Sequence, residues 1–132
     1  MLLVDTSVWI EVFRRDTTVH LESVADLEEV VTCLPVIQEV LQGFRDERAF
    51  QVARESLYAL PIVESPLKRV VFNEAIHLYR RSRQSGVTVR SSVDCLIAAC
   101  ALRHGLTVVH RDGDFNDLAR ISPLEAHDIL RH

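Results

Sequence analysis

Lysine is almost missing from this chain: fourteen arginines stand against a single lysine, Lys68. Glycine and proline are also scarce, four of each, and they fall at punctuation points rather than in tracts. With no internal repeat, low-complexity segment or linker composition, the 132 residues read as one domain, 1–132. The longest uninterrupted apolar run, Leu96 to Leu102, has seven residues, far short of the ~20 needed to span a bilayer. No basic leader precedes the apolar start, which argues against a secretory signal. The three cysteines, Cys33, Cys95 and Cys100, form no CxxC pair. So small and odd a count fits a reducing compartment, the cytoplasm, with all three acting as small buried hydrophobes. The net charge of −4 disfavours broad, sequence-blind adhesion to nucleic acid.

What the chain does have is a 48% hydrophobic composition, arranged as short apolar runs alternating with longer helical patterns. Leu2–Val4 reads as a strand buried on both faces, because its apolar character is continuous. Helices are expected over Ser7–Arg14 and His20–Glu29. A strand over Val30–Leu34 runs into Pro35, which suits the first position of a helix. That helix puts Val36, Ile37, Val40, Leu41 and Phe44 on one face. Glu47–Tyr58 and Leu67–Ser85 follow as helices on either side of a short strand, Leu60–Val63. Ser91–His104 carries Val93, Leu96, Ile97, Cys100 and His104 on one stripe and stops at Gly105. Thr107–His110 is a strand, Asp114–Arg120 a short helix, and Leu124–His127 a weak last strand. Strands alternating with helices imply an α/β fold with a parallel sheet covered on both faces.

The acids stand at particular places in this pattern. Asp5 directly follows the first strand, where it can cap the next helix or hold a metal; Thr6 and Ser7 could cap instead and leave Asp5 free. Glu39 lies about 130° from the centre of its helix's apolar stripe, which by periodicity alone makes it a solvent-exposed acid. Asp94 sits three residues after Ser91, a capping-box spacing, yet it is also about 100° from Val93, on the flank of the buried stripe. Asp112 and Asp114 follow the late strand. They partly match a calcium loop, but Asp117 replaces the required glycine and Pro123 the final glutamate. Ligands of parallel sheets bind at the carboxyl ends of the strands, and carboxylates gathered there cannot all stay ionised without a counter-charge. The pattern therefore points to Mg²⁺ or Mn²⁺ and to phosphate chemistry.

Four stretches then carry a specific likeness: VDTSVWIEVFR at Val4–Arg14, PVIQEVLQG at Pro35–Gly43, SSVDCLIAACALRHGLTVVHRDGDF at Ser91–Phe115, and NDLA at Asn116–Ala119. In order and spacing the chain resembles the PIN-domain nucleases, specifically the VapC toxins of type II toxin–antitoxin pairs. The resemblance implies a three-layer α/β/α PIN-like fold with a central parallel sheet. It implies a metal site matched here by Asp5, Glu39, Asp94 and Asp112, with Asp114 close by, and so overrides the periodicity reading of Glu39. Ser7 matches a hydroxyl residue of that site, with Thr6 beside it, and Arg111 is a candidate phosphate contact. His110 stands where many members have threonine, a departure expected to touch substrate contacts rather than the metal site. The implied activity is Mg²⁺-dependent hydrolysis of RNA, with Mn²⁺ an alternative. The implied partners are a VapB-type antitoxin, a second copy of the chain in a homodimer, and operator DNA only through the antitoxin.

Three other classes compete. A haloacid-dehalogenase-like phosphatase also begins with a strand ending in Asp, but it wants a second Asp where Ser7 stands and a well-placed lysine. A receiver-like binding module wants a lysine at the end of a late strand, where His110 and Arg111 stand. A catalytically silent PIN-like module that binds RNA or protein would keep the fold without the cleavage.

Overall fold

The computed structural model describes residues 1–131. Five strands form one sheet: β1 (Leu2–Val4), β2 (Val30–Cys33), β3 (Ile62–Val63), β4 (Thr107–His110) and β5 (Glu125–Asp128). Their order is β3-β2-β1-β4-β5, and every pairing is parallel. Six helices flank the sheet: α1 (Thr6–Val12), α2 (Leu34–Gln42), α3 (Glu47–Tyr58), α4 (Arg69–Gln84), α5 (Ser92–His104) and α6 (Gly113–Ile121). The expected three-layer α/β/α architecture is the one found. Among the described residues, no helix is long and apolar enough to cross a membrane.

The central strand is β1, whose Leu3 and Val4 are fully buried between Val31 of β2 and Val108 and Val109 of β4. From β1 the chain moves outward to β2 and β3 on one side, then returns to lay β4 and β5 on the other. This reversal opens a crevice at the carboxyl ends of β1 and β4, the place where α/β sheets bind ligands. Asp5 follows β1 directly, and Asp112 follows β4 by two residues.

His20–Glu29 does not form the expected α-helix; it makes two single 3-10 turns, Leu21–Ser23 and Leu27–Glu29. Asp26 separates them by accepting the Glu28 N–H on its own side chain, a local bond that competes with helix continuation. The expected strand Leu60–Val63 shortens to Ile62–Val63, since Pro61 can lend its carbonyl to Thr32 but has no N–H for the ladder. Pro35 is the second residue of α2 rather than the first. Leu2–Val4, Glu47–Tyr58 and Thr107–His110 are found as expected, and the remaining boundaries move by one or two residues.

Helix α5 departs further from the expected stripe. Cys95, Ile97, Ala98, Ala99, Cys100 and Ala101 are all buried, Val93 and Leu96 only half so. The helix packs against α4, α2, α6 and β4, and its small residues let neighbours approach on most sides. His104 is exposed, with Nε2 3.2 Å from Glu64, because the last turn emerges from this packing. Gly105 closes the helix at φ 62°, a left-handed conformation that a β-carbon disfavours. All three cysteines are free and buried.

Leu57 of α3 is fully buried while Val52 on the same helix is 57% exposed. Leu57→Ala should therefore cost about 2–5 kcal/mol of unfolding free energy, and Val52→Ala within about 0.5 kcal/mol, as read from urea denaturation of each variant.

Candidate metal centre

Asp5 is 2% exposed and serves as N-cap of α1. Its Oδ2 accepts the Ser7 N–H and the Ser7 hydroxyl, at 3.0 and 2.5 Å. Neither Thr6 nor Ser7 takes over the capping, contrary to the expectation that would free Asp5. The two roles divide between two oxygens instead: Oδ2 caps, while Oδ1 is buried with no partner among the described residues. The Ser7 hydroxyl in turn accepts the Arg111 N–H at 3.1 Å, tying the end of β1 to the loop after β4.

Asp94 lies in the first turn of α5 and is 4% exposed, more deeply buried than its place on the stripe's flank suggested. The capping-box spacing is not used as a capping box: Ser91 is the N-cap residue but makes no side-chain cap bond. The N–H groups of Arg90 and Ser91 go instead to Asp114 Oδ2, at 3.0 and 3.1 Å. A carboxylate from α6 thus satisfies the entry to α5, and Asp94 is left free, its Oδ2 buried without a partner among the described residues.

Asp112 caps α6 through Oδ1, which accepts the Asp114 N–H at 3.0 Å. Asp94, Asp112 and Asp114 each offer a carboxylate oxygen, and the three lie within 4.8 Å of one another. Asp5 is outside that group of three, yet its charge raises the pKa of Asp94. Glu39 is half-buried rather than solvent-exposed and accepts the Thr6 hydroxyl at 2.9 Å. It is therefore tethered to the residue beside Asp5, while the three-carboxylate group does not include it. Arg111 is engaged with Glu11, Nη1 to Oε2 at 3.5 Å. His110 has no exposed surface, so the expected effect on substrate contacts does not arise through its side chain.

Sequence reasoning passed over Glu11, Arg90 and the Ser91 N–H. Their roles rest on contacts across the fold, and no local pattern announces them.

The electrostatics follow from burial. Desolvation pushes the Asp5 carboxyl up to about 6 against the pull of the Ser7 hydrogen bonds, with a further push from Asp112. Asp94 is pushed up to about 10, first by desolvation and then by the charges of Asp5 and Asp112. Buried acceptors without donors, close to other carboxylates, are costly unless a cation joins them. Hard oxygen donors alone, with no thiolate or imidazole in the group of three, suit Mg²⁺ or Mn²⁺. The residues present fit such an ion.

Two grooves flank this centre. One of about 230 Å³ lies between α1 and α2, lined by Ile10, Phe13, Arg14, Glu39, Val40 and Phe44. Another of about 540 Å³ lies between α4 and α5, with Phe72, Ile76, Tyr79, Arg80 and Arg90 on its walls.

A parallel sheet that delivers buried acids to its switch point is the layout of a PIN domain, and the PIN domain family matches residues 2–121. The chain is similar to the VapC ribonuclease Mb1587 of Mycobacterium bovis and to ribonuclease VapC11 of Mycobacterium tuberculosis. Each is 40% identical over 131 residues, covering 96% of this chain and 97% of the relative. Its fold is shared with the DNA-bound VapBC of Salmonella typhimurium, at TM-score 0.76, 18% identity and 96% coverage of both chains. The chain belongs to the PIN-domain family and, within it, to the VapC ribonucleases.

In the metal-free protein the raised carboxyls of Asp5 and Asp94 contribute to the pH dependence with one sign, and His110, whose pKa burial lowers, contributes with the other below its ordinary 6.5. An unfolded Asp ionises near its ordinary 3.8, whereas folded Asp5 holds its proton to about 6 and folded Asp94 to about 10. Between those values the folded state binds protons that the unfolded state has released, so stability falls as pH rises. In EDTA, the urea midpoint should decline from pH 7 to pH 9, where His110 is already neutral in both states, and Asp94→Asn should flatten that decline. A midpoint that climbs over this range would show that the Asp94 carboxyl is not held protonated.

Proposed function

We propose that this chain is the toxin of a type II toxin–antitoxin pair and a Mg²⁺-dependent endoribonuclease that hydrolyses RNA phosphodiester bonds. The observation that carries this reading is the group of buried, partly orphaned carboxylates at the sheet's switch point in a chain 40% identical to VapC ribonucleases. Asp94, Asp112 and Asp114 would hold the ion directly, and Asp5 would contribute through its free Oδ1. A bound Mg²⁺ supplies a water of lowered pKa as nucleophile and a Lewis acid for the phosphoryl oxygen.

The chain's own residues do the rest. Ser7 holds Asp5 Oδ2 and so keeps Oδ1 turned away from the cap. Thr6 keeps Glu39 at the rim, where it can accept a proton or a water hydrogen bond. Arg111, already fixed by its backbone bond to Ser7, would exchange Glu11 for a phosphate beside the scissile one. The near-absence of lysine suits this, since arginine forks grip phosphate bidentately. Mn²⁺ would serve in place of Mg²⁺, because both take oxygen ligands.

A VapB-type antitoxin is the proposed partner. A groove of about 430 Å³ lined by Trp9, Val12, Phe13, Val19, Leu21 and Leu27 fits an amphipathic segment of such a protein, with operator DNA contacted only through it. Phe72, Ile76 and Tyr79 on α4 are 44%, 57% and 37% exposed, an apolar stripe suited to a second copy in a homodimer. The three free, buried cysteines and the proposed RNA substrate support a cytoplasmic location.

The test is RNA cleavage by purified protein with Mg²⁺, with EDTA, and by Asp5→Ala and Asp94→Ala. Cleavage should require Mg²⁺ and fall at least a hundredfold in both variants, each with a wild-type circular dichroism spectrum. A folded variant that cuts at the wild-type rate would remove that residue from the centre. A folded, Mg²⁺-bound wild type that cuts no RNA would favour the silent binding module.

A further inference from the structure

His110 ends β4 two residues before Asp112 and is completely buried. Its Nδ1 accepts the Asp112 N–H at 3.1 Å, which puts the proton of the neutral ring on Nε2. That Nε2 is also buried, and it has no partner among the described residues. The ring lies against Phe115 of α6, with centroids 5.2 Å apart. An apolar side chain would fill this space without stranding an N–H, so packing alone does not account for a histidine here. What the imidazole supplies, and an apolar residue cannot, is the acceptor at Nδ1.

That acceptor stands at the root of a chain of bonds through the acids. His110 holds the Asp112 N–H; Asp112 Oδ1 holds the Asp114 N–H; Asp114 Oδ2 holds the N–H groups of Arg90 and Ser91. These last two residues lead into α5, whose first turn carries Asp94. We propose that His110 is a positioning residue of the metal centre: through Nδ1 it fixes the backbone at Asp112 and so the relative placement of the Asp112, Asp114 and Asp94 carboxylates. Partners behind a metal ligand commonly govern affinity by roughly ten- to a hundredfold. The inference rests on the metal-centre reading made under Proposed function.

Two variants separate positioning from packing. His110→Asn hangs an acceptor oxygen from Cγ, where Nδ1 hangs in histidine, but loses the ring. His110→Phe keeps a ring against Phe115 and removes the acceptor. The measurement is Mn²⁺ binding to the metal-free full-length chain by titration calorimetry, alongside thermal melting. His110→Phe should bind Mn²⁺ at least about tenfold more weakly while melting close to wild type. His110→Asn should melt lower yet keep near-wild-type Mn²⁺ affinity. The reverse order, with His110→Phe binding as wild type, overturns the proposal. Should His110→Phe fail to fold, His110→Asn decides alone: preserved affinity supports positioning, and a tenfold loss overturns it. A wild-type protein that takes up no Mn²⁺ would instead sink the metal-centre reading, an outcome distinct from failure of the His110 variants.

Discussion

Asp94, Asp112 and Asp114 bring oxygens within 4.8 Å of one another, Asp94 and Asp114 buried and Asp112 half-buried, with the charge of Asp5 acting on Asp94. Like charges so placed repel, and the fold has to hold them together against that repulsion. It does so mostly with backbone N–H groups, which are fixed dipoles that need no side-chain ordering. Asp5 takes the N–H of Ser7, Asp112 that of Asp114, and Asp114 those of Arg90 and Ser91. A cation in their midst would relieve the strain directly. Retention of protons by Asp5 and Asp94 relieves it in the cation's absence.

The same bonds tie helix capping to the proposed metal site. Three of the acids satisfy orphan N–H groups at the beginnings of α1, α6 and α5, groups that every helix must satisfy somehow. Each carboxylate has two oxygens, so one can serve the helix while the other faces the site. Asp5 shows the division most plainly, with Oδ2 doubly bonded and Oδ1 unpartnered. The Ser7 hydroxyl then crosses from β1 to the loop after β4 by accepting the Arg111 N–H. Both halves of the crevice are thereby locked in one geometry. The ion pairs around the site, Arg90 with Asp114 and Arg111 with Glu11, are long and partly exposed. They contribute little to that locking.

Much of the fold was legible along the chain. The continuous apolar runs of β1, β2 and β4, Gly105 behind α5 and the amphipathic α3 are local features, and local features dictate local structure. The failures have a common cause. His20–Glu29 has a helical composition, but Asp26 offers its backbone a competing bond that periodicity does not weigh. The stripe on α5 misplaced His104 because the last turn emerges from the packing that covers the rest of the helix, and periodicity does not register where a helix leaves the core.

The sequence by itself determined the class of fold and the kinds of group at the site, since apolar period, strand–helix alternation and acids at strand ends are properties of neighbours in the chain. Only the tertiary structure decided which oxygens are free. Asp94 escapes its own helix cap because Asp114, twenty residues later, takes the N–H of Ser91. Glu39, half-buried, gains its place at the rim through Thr6. His110 meets Asp112 only in the turn that leaves β4. A carboxylate has two lone-pair-bearing oxygens and a choice of donors, and which donors reach it depends on how distant segments pack.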